Sequence, residues 1–453
     1  MRDLLGCSVL CDAFHAPAPG AATRLRNALI RIDRDGVIER VLLPDDPGHG
    51  VAVKQADRDG ALLRLDGFLL PGFVDLHVHA PQIRQLGQAL DLPLEEWLLR
   101  YTFPLEARFA DLAFAETSYA ALVADLLDGG TTTAVYFGTL HGPATLRLAE
   151  LCVALGQRAM VGRVAMDRAE LCPAHYRDLD ANAALDGTLA LIERIASIPD
   201  NRGLVRPIVT PRFVPACTDA LLDGLGEIVR AHGCAVQTHC SESDWAHNDV
   251  LQRFGRSDAA VLDGFGLLTR RTVLAHGVAL EQDDMDLIAR KGAGVAHCAL
   301  SNAYFAGAVF PLRAALARGV RVGLGTDISG GPSASMFEAA RMAVAASRML
   351  ESGVDPSVPP ERRGRPGSRI DIATAFHLAT AGGAAVLDLP VGRFAPGMLF
   401  DAIRIDPHAP GGTLRVWGGE SDADLLATLL YGASRANVAS VWTGGRLAGR
   451  SAR

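Results

Sequence analysis

Short apolar runs alternate with longer segments of helical periodicity between about residues 70 and 330. The runs are rich in Val, Ala and Thr, while the segments between them, such as DALLDGLGEIVRAHG, have the spacing of amphipathic helices. Alternation of this kind is typical of parallel β/α units, and eight units close a (β/α)8 barrel of the TIM type. The predicted strands are residues 73–79, 131–137, 158–166, 204–212, 235–240, 272–277, 294–298 and 322–327.

Both ends of the chain have a different pattern. RNALIRIDRDGVIERVL, residues 26–42, places a polar turn at 33–36 between two alternating apolar runs, which predicts a β-hairpin. LFDAIRID and ASVWTGGRLAG near the carboxyl terminus have a similar texture. We therefore predict an α/β protein in which residues 1–68 and 390–453 form a small β-sandwich domain and residues 69–389 form the barrel.

The segment ESGVDPSVPPERRGRPGSR, residues 351–369, is rich in Pro, Gly and Arg. Such a composition predicts an exposed loop, because these residues punctuate regular structure. A loop of this length is also long enough to serve as a lid, and this alternative stays open.

The composition narrows the classes of partner. The chain has 453 residues, of which 49% are hydrophobic, and a formal net charge of −7. It contains no long basic run, which argues against a nucleic-acid or lipid surface and favours a small-molecule partner. No window approaches the roughly eighteen apolar residues of a spanning helix, so we expect no membrane segment. The eight cysteines form no C-x-x-C pair, which favours a reducing cytoplasm.

Two histidines occupy alternate positions of the first predicted barrel strand, FVDLHVH. Because side chains two apart on a strand point to the same side, His77 and His79 should both project into the barrel. His239, His276 and Asp327 end the fifth, sixth and eighth strands, at the edge where barrel enzymes carry their chemistry. One such histidine alone is more often a hydrogen-bonded core residue, whereas five groups on one rim predict a metal site. Nitrogen and carboxylate donors suit zinc, with iron as the alternative.

This constellation resembles the single-metal form of the amidohydrolase superfamily, which has an H-x-H pair, two later histidines and an eighth-strand aspartate. The similarity runs from PGFVDLHVH to GRFAPGMLFDA, nearly the whole chain. Two-metal barrels bridge their ions with a carbamylated lysine on the fourth strand, but Lys54 and Lys291, the lysines of this chain, lie elsewhere. The resemblance therefore implies one ion per chain, with His297 on the seventh strand beside the ligands rather than among them.

Glu242 lies three residues after His239, on the loop that leaves the fifth strand. The alternatives for this residue are a solvated loop acid or the first turn of a helix, but its position beside a predicted ligand favours a proton carrier. We expect Asp327 to accept the proton of a metal-activated water and His276 to orient that water. Glu242 then protonates a substrate ring nitrogen, and ammonia leaves.

Three segments resemble the guanine deaminases, a family within this superfamily: EEWLLRYTFPLEARF, VTPRF and GTDISGGPSASM. The resemblance implies hydrolysis of guanine to xanthine and ammonia, a step of purine catabolism, by a homodimer. Gln82 offers a donor and an acceptor for the purine edge, Arg212 donors for O6, and Phe213 a surface for the ring. With His239, these residues are the predicted substrate contacts. Ordinary strand-end packing is the alternative for Arg212 and Phe213.

The seventh loop departs from the family pattern, because HCALSN and AYFAGAVFPL replace the usual HCP and polar run. Tyr304 and Phe305 in this loop either line the site or cover the following helix. The altered loop keeps open a related aminohydrolase that acts on 8-oxoguanine, a pterin or an s-triazine. A non-catalytic scaffold on the same fold is the alternative from another class, but such proteins typically lose ligands, and this chain keeps them all.

Overall fold

The barrel and a second sheet account for the strands of this protein, whose computed structural model describes residues 2–449. In chain order the strands are β1 (Ser8–Ala18), β2 (Ala21–Ile32), β3 (Ile38–Leu42), β4 (Leu62–Pro71), β5 (Phe73–His79), β6 (Thr131–Phe137), β7 (Arg158–Gly162), β8 (Val164–Ala165), β9 (Val205–Pro211), β10 (Ala235–Cys240), β11 (Thr272–His276), β12 (Gly294–His297), β13 (Arg321–Leu324), β14 (Ala402–Ile405), β15 (Val438–Thr443) and β16 (Arg446–Leu447).

The helices of the described residues mostly follow the barrel strands. They are α1 (His49–Arg58), α2 (Leu94–Trp97), α3 (Phe103–Ala107), α4 (Leu112–Asp128), α5 (Gly142–Leu155), α6 (Ala181–Ala196), α7 (Asp219–His232), α8 (Asp244–Phe254), α9 (Asp258–Gly264), α10 (Gln282–Lys291), α11 (Ala299–Ser301), α12 (Leu312–Ala317), α13 (Met336–Ser352), α14 (Ile372–His377), α15 (Gly383–Val386) and α16 (Asp422–Gly432). Short 3-10 turns form at Ala80–Gln85, Arg108–Ala110, Val214–Ala216, Pro360–Arg362 and Arg435–Asn437, and π turns at Leu98–Thr102, Asn302–Ala306 and Leu378–Gly382.

Helix ends follow the capping residues of the sequence. Thr218 begins α7 by accepting a hydrogen bond from the Leu221 amide, and Ser243 begins α8 in the same way. Glycines in the left-handed conformation end both helices, at Gly233 and Gly255. The predicted turns between strands and helices therefore have a local chemical basis.

Eight parallel strands form the predicted barrel. They are hydrogen-bonded in the order β5, β6, β7, β9, β10, β11, β12, β13, with the short β8 paired beside β9. All eight predicted strands are confirmed, but the run predicted at 158–166 is divided in two at Arg163. The Arg163 side chain forms a buried ion pair with Asp178, and the chain resumes pairing with β9 at Val164.

The barrel closes between its first and last strands. The Asp327 amide donates to the His77 carbonyl at 2.9 Å, and the His79 amide donates to the Ile328 carbonyl at 2.9 Å. Glycine at position 325 permits this approach, because a Cβ there would lie 2.9 Å from the Cβ of His77. The closure therefore places two predicted ligand positions, 77 and 327, in direct backbone contact.

A separate mixed sheet joins strands from both ends of the chain, as predicted. Its order is β16, β15, β14, β4, β1, β2, β3, and the predicted hairpin is the antiparallel pair of β2 and β3. The strands follow one hydrogen-bonded path of seven rather than two facing sheets, and bulges interrupt the register of the long β1. Its hydrophobic core includes Val9, Phe400 and Trp442. The boundaries at residues 68/69 and 389/390 stay a prediction.

Arg158 of β7 pairs with Asp401, which precedes β14, and this buried ion pair links the barrel to the mixed sheet. The contact distances are 3.1 Å for Nη2 to Oδ1 and 3.3 Å for Nε to Oδ2. Residues 351–369 are largely exposed, as predicted, and their role as a lid stays a prediction. Among residues 2–449, none of the helices has both the length and the apolar character needed to cross a bilayer.

Candidate active site

The predicted ligand residues converge at the carboxyl end of the barrel. His77 and His79 project from β5 into the interior, and both are buried. His239 lies near the end of β10, His276 ends β11, and Asp327 follows β13. All five side chains are buried at this end of the barrel and are shielded from bulk water.

The ligand atoms lie close enough to share one cation. His77 Nε2 is 3.0 Å from Asp327 Oδ1, and His79 Nε2 is 3.6 Å from the same oxygen. His276 Nε2 is 3.8 Å from Asp327 Oδ2. Three overlapping groups have ligand atoms within 4.8 Å of one another: His77, His239 and His276; His77, His79 and Asp327; and Glu242, His276 and Asp327.

The hydrogen bonds of the outer ring nitrogens leave the inner nitrogens free for a cation. His239 Nδ1 donates to the Arg212 carbonyl at 2.5 Å, and His276 Nδ1 donates to the Asn302 side-chain oxygen at 2.9 Å. Each of these bonds fixes a neutral ring with its lone pair on Nε2. Nε2 of His276 and of His77 are buried without a hydrogen-bond partner. Unpartnered imidazole nitrogens beside a carboxylate fit a divalent metal ion.

Burial governs the protonation of the cluster. It lowers the pKa of His77, and it lowers those of His79 and His239 well below the ordinary value, which favours the neutral imidazoles that bind metals. Burial acts to raise the pKa of Asp327, but the neighbouring histidines, His77 foremost with His276 and His79, together outweigh it and hold that pKa well below its ordinary value. Burial raises the pKa of Glu242, so this carboxyl group holds a proton more readily than a solvated one.

Three residues of this rim adopt positive φ angles that non-glycine residues rarely use. The values are 49° for Ser241, 76° for His276 and 49° for Asp327. Conformations of this kind cost about 1–3 kcal/mol each and collect at functional sites. The strain falls at the strand ends where the chain turns away from the cluster.

A pocket of about 400 Å³, measured with its open mouth, lies above the cluster. The predicted substrate contacts Gln82, Arg212, Phe213 and His239 all line it, and Glu242 faces it from the β10 loop. The Glu242 carboxylate is 3.6 Å from His276 Nε2. The remaining lining residues are His79, Leu94, Trp97, Leu98, Phe305, Asp327 and Gly330.

The seventh loop places one of its two aromatic residues in the pocket. Phe305 lines the pocket and packs against Trp97, with ring centroids 4.9 Å apart. Tyr304 is exposed. His297 is buried and belongs to none of the three ligand groups found in the described residues; burial lowers its pKa to about 4. Of these two residues, Phe305 therefore lines the site and Tyr304 does not.

Sequence reasoning missed Glu106, a fully buried residue of α3. Its carboxylate pairs with the Arg212 guanidinium through two contacts, at 2.6 and 3.1 Å, and accepts a hydrogen bond from Gln82 at 2.9 Å. Glu106 lies in the segment EEWLLRYTFPLEARF, but nothing in the local pattern distinguishes it from the other acids there.

Asp75 and Asn302 were missed as well. Asp75 accepts hydrogen bonds from the Thr326 amide at 3.0 Å and the Thr326 hydroxyl at 2.5 Å, and so it ties β5 to the end of β13. Asn302 holds the His276 ring by accepting a hydrogen bond from its Nδ1. For Asp75 a signal was present, because it shares the alternation of His77 and His79 on a strand that is otherwise apolar.

Comparison with known proteins agrees with this geometry. Residues 68–448 match the amidohydrolase family. A probable guanine deaminase of Schizosaccharomyces pombe is 38% identical over 385 residues, which cover 84% of this chain and 71% of the relative. The guanine deaminase of Dictyostelium discoideum is 34% identical over 452 residues, covering 95% of this chain and 96% of the relative.

A solved structure extends the comparison to three dimensions. The guanine deaminase of C. acetobutylicum, crystallised with guanine in its active site, superimposes with a TM-score of 0.84 at 28% identity. The match covers 98% of this chain and 99% of that one. With the barrel, the histidine and aspartate cluster and these relatives in agreement, the chain belongs to the amidohydrolase family.

Proposed function

We propose that this protein is a guanine deaminase, which hydrolyses guanine at C2 to xanthine and ammonia. The observation that carries the proposal is the joint position of Gln82 and Arg212 in a pocket directly above the histidine and aspartate cluster. A cluster of this kind supports hydrolysis, and the polar pocket wall suits a ring with a carbonyl and an N–H group on one edge. The guanine deaminases among the relatives support the same activity.

For the metal we propose a single zinc ion, with iron as the alternative, held by His77, His79, His239, His276 and Asp327. The fit rests on the donor chemistry and on the unpartnered Nε2 atoms of the buried His77 and His276 rings. A bound divalent ion supplies Lewis-acid activation of the attacking water. Amidohydrolases depend on metal, and metal analysis of the purified protein identifies the ion.

The proton transfers fall to two carboxylates. Asp327 accepts a proton from the water that attacks C2, and the neighbouring His276 orients this water. Glu242 donates a proton to the ring nitrogen beside C2, and burial keeps this carboxyl protonated more readily than a solvated one. The C2–oxygen bond forms and the bond from C2 to the exocyclic nitrogen breaks. The proton that Asp327 took from the water passes to the leaving amine, which departs as ammonia, and the remaining proton of the C2 hydroxyl returns to Glu242 in place of the one given to the ring.

The pocket wall orients the purine. Arg212 keeps N–H groups available beyond those paired with Glu106 and donates to O6, while Gln82 bonds the neighbouring part of the ring edge. The ring centroids of Phe213 and His239 are 6.4 Å apart, and Phe213 packs against the purine face. Adenine lacks the O6 carbonyl, and it would leave the buried Arg212 without a partner for its free N–H groups.

A substrate panel tests the proposal. Ammonia release is measured with guanine, 8-oxoguanine, a pterin and an s-triazine, on protein of known metal content. We expect guanine to have the highest kcat/KM by at least about ten-fold. Good turnover of another ring without turnover of guanine would replace the substrate, and no turnover of any ring after zinc addition would favour a non-catalytic scaffold.

We also propose a homodimer in the cytoplasm, for which the family resemblance and the unpaired cysteines are the support. All eight cysteines are free thiols, as in proteins of reducing compartments. Light scattering during gel filtration tests the assembly, and a mass of one chain would contradict it. Fractionation of the source cells tests the location.

A further inference from the structure

Glu106 lies behind the pocket wall and contacts both polar residues that reach through it. The carboxylate is fully buried in α3 and does not line the pocket. Its Oε1 accepts from Gln82 Nε2 at 2.9 Å and from Arg212 Nη2 at 3.1 Å, and its Oε2 accepts from Arg212 Nη1 at 2.6 Å. One side chain thus holds two groups, one directly after β9 and one in the turn after β5.

The Glu106 carboxylate fixes the orientation of the Gln82 amide. A carboxylate paired with an arginine only accepts hydrogen bonds, so the NH2 end of Gln82 has to face it. The opposite end is set independently, because the Ser329 amide points at Gln82 Oε1 at 3.4 Å. Two contacts therefore agree on the orientation of the amide, and the second lone pair of Oε1, an acceptor, is left for the pocket.

Arg212 is fixed in the same way. Its guanidinium uses Nη1 and Nη2 on Glu106 and stacks over the Phe103 ring, with 5.0 Å from the guanidinium carbon to the ring centroid. Arginine has donors only, so any hydrogen bond from it into the pocket is a donor. The pocket wall consequently presents an acceptor from Gln82 next to a donor from Arg212.

We propose that Glu106 is a positioning residue that makes the pocket read a lactam edge, an N–H group next to a carbonyl. This inference rests on the proposed function. Guanine and hypoxanthine carry this edge at N1 and C6, and the acceptor and donor of the wall complement it. Adenine carries the reverse pattern at the same positions, an acceptor beside an amine, and meets a mismatch at both.

If Glu106 had only a structural role, its substitution should weaken the binding of the metal and of every ligand together. Arg212 also holds the His239 ring through its backbone carbonyl, so a general loosening at Arg212 would disturb the metal cluster and every ligand together. A positioning role instead changes the preference between purine edges while the metal stays bound. The two roles are therefore separated by a preference ratio measured at constant metal content.

The test compares the binding of hypoxanthine and adenine to metal-loaded protein by calorimetry. Hypoxanthine has the lactam edge but no amine at C2, so its binding is measured without turnover. We expect the wild-type protein to prefer hypoxanthine, and Glu106→Gln to reduce this preference by roughly ten-fold or more, because the Gln82 amide can then reverse. The same variant should raise KM for guanine by a larger factor than it lowers kcat.

Two further variants complete the design. Glu106→Asp keeps the charge beside Arg212 but withdraws the carboxylate from Gln82, so it should also lower the preference for hypoxanthine over adenine. It provides the test if Glu106→Gln does not fold. Asp178→Asn, which breaks the buried pair with Arg163 elsewhere on the rim, should leave the preference within about two-fold of wild type.

An unchanged preference in folded, metal-loaded Glu106 variants would overturn the inference, and so would an equal loss of metal and of both ligands. These outcomes differ from a failure of the proposed function. That failure would be a wild-type protein that does not deaminate guanine, whatever the ratio of hypoxanthine to adenine binding.

Discussion

The Nε2 atoms of His79 and His239 face each other at 2.9 Å, although 160 residues separate the two histidines along the chain. Because Nδ1 of His239 donates to the Arg212 carbonyl, Nε2 of the neutral His239 ring carries no proton and presents its lone pair to His79. Two ring nitrogens at this distance form a hydrogen bond when His79 Nε2 carries the proton, and they present two lone pairs to one cation when it does not. This arrangement leads to a first prediction about metal content.

His79→Ala should lose most of its metal and lower kcat/KM by more than about 100-fold, since even outer partners of metal ligands contribute 10–100-fold. Elemental analysis of the purified variant and guanine kinetics provide the measurement. His175→Ala, at an exposed loop histidine, is the matched control and should retain one ion per chain. Full metal content in His79→Ala would remove this residue from the ligand set.

Glu242→Gln should keep the metal and lower kcat by about 10²–10⁴-fold, the range expected for loss of a general acid or base. The amide preserves the shape of the side chain but cannot deliver the proton. Single-turnover deamination of guanine, with metal analysis of the same sample, is the measurement. Glu227→Gln, on the exposed side of α7, serves as control. Near-normal turnover in Glu242→Gln would assign the proton to another group.

Asp401→Asn should destabilise the fold by about 3–5 kcal/mol, because it leaves the buried Arg158 without its counter-charge. Denaturant unfolding measures the free energy, and activity per folded molecule should stay near that of wild type. Asp125→Asn removes a partner of the exposed Arg435, and it should change the free energy by no more than about 1 kcal/mol. Equal effects of the two variants would mean that the Arg158 pair is not specially stabilising.

The contribution of His247 to stability should decrease as the pH rises. Its hydrogen bond to Asp258, at 3.4 Å, raises the pKa of His247 above the ordinary value of 6.5. A raised pKa means that the folded state binds the proton more tightly, so the stabilisation is complete below pH 6.5 and is lost above the raised value.

His247→Gln tests this dependence by denaturant unfolding at pH 5.5 and 8.5. The variant should be less stable than wild type by up to about 1 kcal/mol at the lower pH, and the difference should shrink at the higher pH. A difference that grows with pH would show that the neutral ring, and not the ion pair, is the stabilising form.

The elements that sequence predicted best are those with a strict local period. Alternation on β5 placed His77 and His79 together, and strand ends located His276 and Asp327, since parallel strands end on one rim. Glu106 was not predicted because α2, a π turn and α3 follow one another there, and the hydrophobic residues keep no constant helical period across them. Its partner Arg212 is 106 residues away, a pairing that no local pattern encodes.

The seventh loop shows a second limit. Tyr304 and Phe305 are adjacent aromatic residues, and composition treats them alike. Both lie in the π turn at Asn302–Ala306, where Phe305 lines the pocket and packs against Trp97 of α2, about 200 residues earlier in the chain. Such a choice depends on the assembled barrel.

The seam between β5 and the residues after β13 couples the chemistry to the completion of folding. The proposed ligands His77 and His79 come from β5, the first barrel strand, and Asp327 follows β13, the last. Asp75 of β5 accepts a hydrogen bond from Thr326 where the two strands meet. A chain that lacks the last barrel strand and the residues after it also lacks Asp327, and so it cannot assemble the full set of proposed metal ligands. With this ligand set, hydrolytic competence therefore depends on completion of the barrel, and a truncated or partly folded chain lacks one of the proposed donors.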